Sequence, residues 1–240
     1  ELVVPTSENI KLTYMMNLTI PSKKHLLVTG NTGTGKTLTI INSLLSSYEN
    51  DHYTYIKMNL TAQTSANQTQ AIIEGKLQKS YRKFSPVQSR KGEISIDDLN
   101  MPAKEKFGAQ PPIELLRQWM DYGGWFDLNS DTKDFINIID VSFLSAMGSV
   151  SSGRSVSSRY YRHYIILFSE NYSHATLNKI FSNTMEWFFI KNKNPSFSDG
   201  VLALKDKAIN ATIQMYLNCS TQFKATPAKI HYTFNLYIYI

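Results

Sequence analysis

The chain has a single cysteine, Cys219, so no internal disulfide can form. That fits a reducing compartment, and a secreted chain without disulfides is the alternative. Long apolar runs are also missing. None approaches the roughly 18 residues needed to cross a bilayer, and no secretory leader opens the chain, so no membrane partner is expected. Charge is sparse: Asp, Glu, Lys and Arg make up 18% of residues. The balance is +6, with pI near 9.2, which suits nucleotide phosphates, nucleic acid or an acidic surface. The densest basic group, Lys79, Arg82, Lys83, Arg90 and Lys91, has the look of a solvated loop and not of a nucleic-acid stripe. No nucleic-acid partner is expected.

Apolar residues account for 42% of the 240, enough for a sizeable core in one large domain or a core plus a small second domain. Asn-x-Ser/Thr triplets at Asn17, Asn59, Asn67, Asn171, Asn210 and Asn218 are either glycan acceptors or by-products of a composition rich in Asn, Ser and Thr. The chain begins at Glu1 and stops in the apolar run Tyr237 to Ile240, so it is expected to be part of something longer.

Lys24 to Thr29 is a short apolar run that ends at a glycine loop, the pattern of a buried strand. Leu38, Ile41, Leu44 and Leu45 then recur at helical spacing. Tyr53 to Leu60 alternates and predicts a second strand. Ser65 to Lys79 predicts a helix with Ile72, Ile73 and Leu77 inward. Tyr81 to Lys91 predicts a loop, and Glu93 to Ile96 a third strand. Pro111-Pro112 opens a helix. Ile138 to Met147 and Tyr164 to Phe168 predict the fourth and fifth strands. Strands and helices alternate at βαβ spacing, so the expected fold is α/β with a parallel sheet covered on both faces. From Ser173 the pattern is purely helical, with Leu177, Ile180, Phe181, Thr184 and Phe188 on one face. A second helix carries Leu204, Ala208, Ala211, Met215 and Cys219. A small helical lid is therefore expected after an α/β core, with core 1–170 and lid 171–240.

Gly30-Asn31-Thr32-Gly33-Thr34-Gly35-Lys36-Thr37 matches G-x-x-x-x-G-K-[ST] in full, with a strand before it and an amphipathic helix after it. Glycines let the backbone curl so that successive N–H groups face a phosphate, and the helix start adds its positive end. Lys36 is assigned to the β- and γ-phosphates and Thr37 to magnesium. Asp97-Asp98 lies 61 residues beyond Lys36. The first acid is a candidate magnesium holder, and the second a candidate to polarise the attacking water, a post usually held by Glu. A pair that merely caps the following segment is the alternative, and Glu93 and Ser95 make the strand unusually polar. At the tip of the fourth strand Met147 and Gly148 offer no side-chain donor, which leaves Ser149 as a weak sensor of the γ-phosphate. Arg154, Arg159 and Arg162 are candidates to stabilise transition-state charge at a neighbour's site, a role worth ~10³–10⁵ in rate. Surface ion pairing is the alternative for each.

The segments VVPTSENIKLTYMMNLTI, GNTGTGKT, TAQTSANQTQAIIEGKL and IDDLNMPAKEKFGAQPPIELLRQWMDYGGWFD together resemble dynein heavy chains of the axonemal type. The nearest likeness is to the third AAA+ module of the motor ring, and RYYRHY and TPAKIHYTFNL resemble later parts of that module. The resemblance covers almost the whole chain. It implies a P-loop AAA+ core with a five-stranded parallel sheet between helices, followed by a small α-helical lid, in a six-module ring made from one heavy chain. It implies a module that binds ATP or ADP with Mg2+ and regulates the ring, and a P-loop ATPase whose hydrolysis at this site is slow. It implies the neighbouring AAA+ modules as partners, with intermediate chains, light chains and microtubules reached through the parent motor. The implied location is cytoplasm and cytoskeleton, in the axoneme of a cilium or flagellum. Val4, Pro5 and Thr6 match the segment that packs on adenine. Arg159 matches the arginine finger, facing the preceding module's site. Asn31, Thr32, Gly33, Thr34, Gly35, Lys36, Thr37 and Leu38 are the implied nucleotide contacts, Thr37 and Asp97 the metal holders, and Asp98, Lys36 and Arg159 the catalytic set. The chain departs from the family where GSVSSGR stands at Gly148 to Arg154. It departs again where Tyr237 follows Phe234-Asn235-Leu236 in place of the second-sensor arginine. A third departure is the strand before Asp97, more polar than the family's, and the three together favour a slow or regulatory site. A stand-alone AAA+ ATPase that remodels protein complexes as a homo-oligomer is the other reading, and a ring element whose nucleotide never turns over is a third.

Overall fold

Five strands whose buried positions are mostly apolar generate the central layer. The computed structural model describes residues 4–48, 53–87, 90–127, 131–149, 155–191, 200, 203–224 and 226. Its main sheet has five strands: β1 (His25–Gly30), β2 (Tyr53–Asn59), β5 (Lys91–Asp97), β8 (Val141–Met147) and β9 (Tyr164–Ser169). Their order is β2-β5-β8-β1-β9, and every neighbouring pair is parallel. All five predicted strands are present, and the sheet is the predicted parallel one.

A parallel sheet needs cover on both faces, and successive residues of a strand point to opposite sides. Ile94, Ile96, Ile56, Met58 and Phe143 therefore share one cluster with Ile73 of α3 (Ala66–Glu74) and Leu116 and Trp119 of α4 (Pro111–Tyr122). Leu26, Val28, Leu144 and Ala146 share the other with Ile40 and Leu44 of α2 (Lys36–Tyr48) and with Leu12 and Met16 of α1 (Ser7–Thr19). On α2 Leu44 is buried and Leu38 and Ile41 half-buried as the helical spacing implies, while Leu45 is exposed and Ile40 joins the core instead.

Several expectations fail where tertiary pairing outbids local pattern. The helix expected over Ser65 to Lys79 keeps its start, where Ser65 and Gln68 form a capping box, but it stops at Glu74. Gly75 caps it, Ile72 is exposed, and Gln78–Ser80 becomes strand β3. The predicted loop Tyr81 to Lys91 contains β4 (Lys83–Ser85), which pairs antiparallel with β3. The single strand expected over Ile138 to Met147 is two. Asp140 takes φ 58°, a left-handed turn that Asp tolerates, and it separates β7 (Phe135–Ile138) from β8. β6 (Gly124–Phe126) pairs with β7, and the four short strands make a second sheet, β3-β4-β7-β6. Trp125 is fully buried there. Its Nε1 donates to Glu74 Oε1 at 2.9 Å, while Gln70 Nε2 donates to the same atom at 2.8 Å and to the Phe126 carbonyl at 2.9 Å. These bonds fasten α3 to the added sheet. The basic group is structured too: Lys79 lies on β3 with Nζ 2.6 Å from Asp127, and Arg82 takes φ 55° at the hairpin turn.

The described chain divides into two compact units. The larger holds Leu12–Gly30 and Lys36–Ser169; the smaller holds Glu1–Lys11, Asn31–Gly35 and Glu170–Ile240. In the smaller, α6 (His174–Glu186) starts at Ser173, whose hydroxyl accepts from the Thr176 N–H at 3.2 Å. A π-helical turn, Trp187–Lys191, continues it. Leu177, Ile180 and Phe181 pack with Ile209 and Ile213 of α7 (Lys205–Gln222). The inward face of α7 is therefore not the predicted one, since Leu204 and Met215 are exposed, and Phe188 is exposed as well.

The polar strand β5 has a local explanation. Glu93 is buried, and its Oε1 accepts from the Ser142 hydroxyl of neighbouring β8 at 2.7 Å; Oε2 has no partner among the described residues. Burial pushes Glu93 up to about 7, against the Ser142 bond and the Lys91 charge. Between its ordinary value of 4.5 and about 7, the folded chain holds a proton that the unfolded chain has released. Stability therefore falls as pH rises through that window. Glu93→Gln is expected to flatten this dependence and to be the more stable form at pH 8, by at most about 3 kcal/mol at ~1.36 kcal/mol per pH unit. Urea midpoints at pH 5 and pH 8 measure it; a gap that does not widen with pH rejects it.

Candidate functional site

β1 delivers the chain to Gly30, whose φ is 155° and whose Cα lies against the end of β9. A Cβ there would stand 2.4 Å from the Ser169 carbonyl oxygen. Gly33 and Gly35 take φ 82° and 73°, the left-handed turns that only glycine makes cheaply. Helix α2 starts immediately afterwards, at Lys36. The loop is curled, not extended, and its hydroxyl and amide side chains brace it: Thr34 Oγ1 donates to the Asn31 carbonyl at 3.0 Å, and Asn31 Nδ2 to Asn171 Oδ1 at 3.0 Å. Thr34 is buried, Asn31 and Thr32 are exposed, and Leu38 is half-buried on α2.

In the larger unit Lys36 Nζ donates to the Gly30 carbonyl at 3.0 Å. Burial holds its ammonium below the usual lysine range, and the charges of Asp97 and Asp98 work against that. Thr37 Oγ1 donates to Asp97 Oδ2 at 2.7 Å, and the other Asp97 oxygen accepts from the Asp98 N–H at 3.0 Å. Asp97 ends β5, which is separated from β1 in the sheet order only by β8. Carboxyl ends of parallel strands are where α/β folds bind ligands. A hydroxyl and a carboxylate this close are hard oxygen donors. They suit Mg2+, which takes one or two protein oxygens and fills the rest of its octahedron with phosphate and water.

Asp98 has φ 53°. Asp is among the few side chains that occupy this region readily, which is a local reason for the shorter acid. Burial raises its carboxyl above the usual range, Asp97 adds to the rise, and Lys36 opposes it. A raised carboxyl is a better proton acceptor once ionised, which suits the orientation of water. At the tip of β8, the Gly148 carbonyl accepts from Thr29 Oγ1 at 3.4 Å.

The three arginines separate. Arg154 lies outside the described residues, as does the Tyr237 departure. Arg162 is an ion-pair residue: its Nη2 donates to Asp121 Oδ1, and Arg117 Nη1 and His163 Nε2 reach the same carboxylate at 2.6 and 2.8 Å. Arg159 is exposed on α5 (Ser158–Tyr161), with its N–H on the Ser157 hydroxyl. The adjacent Tyr160 is fully buried, its hydroxyl 2.7 Å from that of Tyr164, which lies 3.1 Å from Ser145 Oγ on β8. This buried hydroxyl chain anchors the arginine-bearing turn.

In the smaller unit Val4 packs on the Leu177–Ile213 cluster. The Pro5 carbonyl accepts from Lys179 Nζ at 2.7 Å, and the buried Thr6 hydroxyl accepts from the Asn9 N–H at 3.2 Å. Three residues that motif matching passed over belong here. Glu8 Oε1 accepts from Thr176 Oγ1 at 3.2 Å. A Cβ on Gly35 would lie 2.8 Å from the Tyr172 hydroxyl and 3.9 and 4.0 Å from the Asn9 amide oxygen and nitrogen. No spacing rule connects positions 9, 35 and 172, so sequence offered no signal for them.

Comparison with known proteins agrees with this geometry. Residues 1–172 match a sequence family described as P-loop containing dynein motor region. The chain is 40% identical over 238 residues to dynein axonemal heavy chain 12 of Mus musculus, covering 98% of this chain and 8% of that one. It is 39% identical over 244 residues to dynein axonemal heavy chain 1 of Homo sapiens (98% and 6%) and 39% over 240 residues to heavy chain 3 of Homo sapiens (98% and 6%). The chain thus spans 8% or less of the length of these relatives. Among solved structures, a Thermotoga maritima RuvB mutant superposes with TM-score 0.53 at 17% identity, covering 78% of this chain and 56% of that one; this likeness is one of fold alone.

Proposed function

Because the chain belongs to the P-loop containing dynein motor region family, and so is a P-loop ATPase module of the axonemal dynein type, we propose that it serves as the third AAA+ module of a ciliary motor ring. There it binds ATP or ADP with Mg2+ and turns nucleotide over slowly, as a regulatory site. The observation that carries the reading is the 2.7 Å bond from Thr37 to Asp97. It joins the first turn of α2 to the end of β5 and so brings the two candidate metal oxygens together. Lys36 would bind the β- and γ-phosphates, the loop amides would cradle them, and Asp98 would orient the attacking water. Arg159, exposed on α5, is free to serve the preceding module's site. Magnesium, when bound, neutralises charge developing on the phosphates. Microtubules, intermediate chains and light chains would be reached through the parent motor, in the axoneme.

Single-turnover hydrolysis separates slow catalysis from a purely structural nucleotide. Asp98→Asn keeps a side chain that tolerates φ 53° but removes the base. It is expected to leave MgATP affinity within about twofold and to lower the single-turnover rate by about 10²-fold, the range of one positioned proton acceptor. Equal slow rates in both proteins would assign the site a structural role instead.

A further inference from the structure

We propose that the tip of the β3–β4 hairpin, Tyr81, Arg82 and Lys83 with Lys76 at its root, is a docking site for an acidic segment of a separate polypeptide. The fold uses only part of this basic group. Lys79 pairs with Asp127. Lys76, Arg82 and Lys83 are exposed and have no ion pair among the described residues. No Asp or Glu occurs from Gly75 to Val87. Around the small sheet Asp127 is taken by Lys79, and Glu74 accepts from Trp125 and Gln70. The positive charge of the tip therefore faces solvent without a counter-charge.

Tyr81 adds what a merely solvating run lacks. It is 88% exposed, and the Arg82 guanidinium carbon stands 5.5 Å from the centre of its ring, within cation–π range. The backbone beneath is fixed. Ser80 faces Lys83 across the hairpin, the Arg82 carbonyl accepts from the Asn137 N–H of β7 at 3.2 Å, and Phe84 is buried. A fixed platform loses little freedom on binding, and Tyr and Arg are the residue types that dominate the energy of protein interfaces. Guarding a sheet edge explains less. Lysine on a short edge strand keeps other strands away, and β3 is such a strand, but its lysine is the paired Lys79. Arg82 lies in the turn, and Lys83 lies on β4, which is paired on both sides.

Charge complementarity selects the occupant. A second copy brings the same basic tip and a net charge of +6, and is repelled. Single-stranded nucleic acid is held by a basic groove with several rings for successive bases. This tip offers one ring, with Arg82 already over it. An acidic polypeptide segment with interspersed aliphatic residues meets both features: its carboxylates reach Lys76, Arg82 and Lys83, and an aliphatic side chain covers Tyr81.

The test is fluorescence anisotropy of a labelled peptide of Glu-Glu-Val repeats with the 240-residue chain, beside a peptide of Gln-Gln-Val repeats and an oligodeoxythymidine of similar length. Wild type is expected to bind the Glu peptide and not the Gln peptide, with an affinity that falls as salt is raised. Arg82→Glu combined with Lys83→Glu should weaken binding at least about tenfold, because two exposed pairs are lost and two repulsions replace them. Lys24→Glu combined with Lys106→Glu makes the same change of net charge at two other exposed lysines and should cost less than about twofold. Tyr81→Ser should weaken binding about fivefold, the least expected of an interface anchor. All these variants should melt with wild type, since every altered side chain is exposed. Equal losses in the two double variants, or no binding of the Glu peptide by wild type, overturns the assignment. Tighter binding of oligodeoxythymidine that the tip variant loses gives the tip to nucleic acid, and concentration-dependent sedimentation that the tip variant abolishes gives it to a second copy. Either result overturns the acidic-segment reading.

Discussion

Lys36→Ala is expected to lower the affinity of the chain for MgATP by about 100-fold, the largest effect of any single side-chain truncation in the site. Charge-assisted hydrogen bonds to phosphate are roughly twice as strong as neutral ones, and bonds to charged groups are worth about 1.5–3 kcal/mol each. Losing contacts to two phosphates therefore removes on the order of 3 kcal/mol, or two decades in the dissociation constant. The fold should lose less than the binding does. Burial already holds the ammonium below the usual lysine range, against the attraction of Asp97 and Asp98, so removing it also removes a burial cost. A thermal melt makes the distinction sharp. MgATP at a hundred times its dissociation constant raises stability by about 2.7 kcal/mol, so wild type should show a clear upward shift and Lys36→Ala almost none. Equal calorimetric isotherms for the two proteins would remove Lys36 from the site.

Gly30→Ala is expected to be the most damaging one-carbon change near the loop. The added Cβ would sit 2.4 Å from the Ser169 carbonyl oxygen and 3.1 Å from the Ser169 Cβ. That pair is the last rung between β1 and β9, and a backbone carbonyl cannot rotate away as a side chain can. The conformation adds a second cost, because φ 155° belongs to a region kept for glycine. Overpacking of about 1–3 kcal/mol and backbone strain of a similar about 1–3 kcal/mol together predict a loss of about 3 kcal/mol or more in urea unfolding. Gly108→Ala is the control. Its φ is 81°, but nothing lies within 4 Å of the new Cβ, so it should cost only the backbone share, about 1–2 kcal/mol. If the two variants unfold at the same urea concentration, the collision is not what makes Gly30 necessary.

The position of this collision also shows which features could be read in advance. Glycines before a helix, a lysine at its first position and an acid at the end of a strand are local patterns whose geometry follows from a few bonds. They were legible in the amino-acid order, as were the five strands of the main sheet. Asp97 lies opposite Thr37 because parallel strands with helical crossovers place their carboxyl ends on one side. The second sheet was not legible. Its strands run three or four residues, β3 is exposed throughout, and so short a segment has no period to detect. Arg159 and Arg162 looked equivalent as sequence. They differ in pairing and not in exposure: both are exposed, and Arg162 is held by Asp121 of α4. Glu93 looked like a flaw in an apolar strand until Ser142 appeared beside it on β8.

By itself, then, the amino-acid order determined the glycine loop, the lysine and threonine that follow it, the acidic pair and the alternation that makes a parallel sheet. Each depends on backbone torsions and side-chain periods set within about a dozen residues. Only the folded chain decided that Asn9 and Tyr172 flank Gly35, that Asp121 holds Arg162, and that a second small sheet buries Trp125. Those outcomes join residues dozens to more than a hundred positions apart. Contacts at such separations are chosen by competition among all possible partners for burial and hydrogen bonds, and no local pattern encodes the winner.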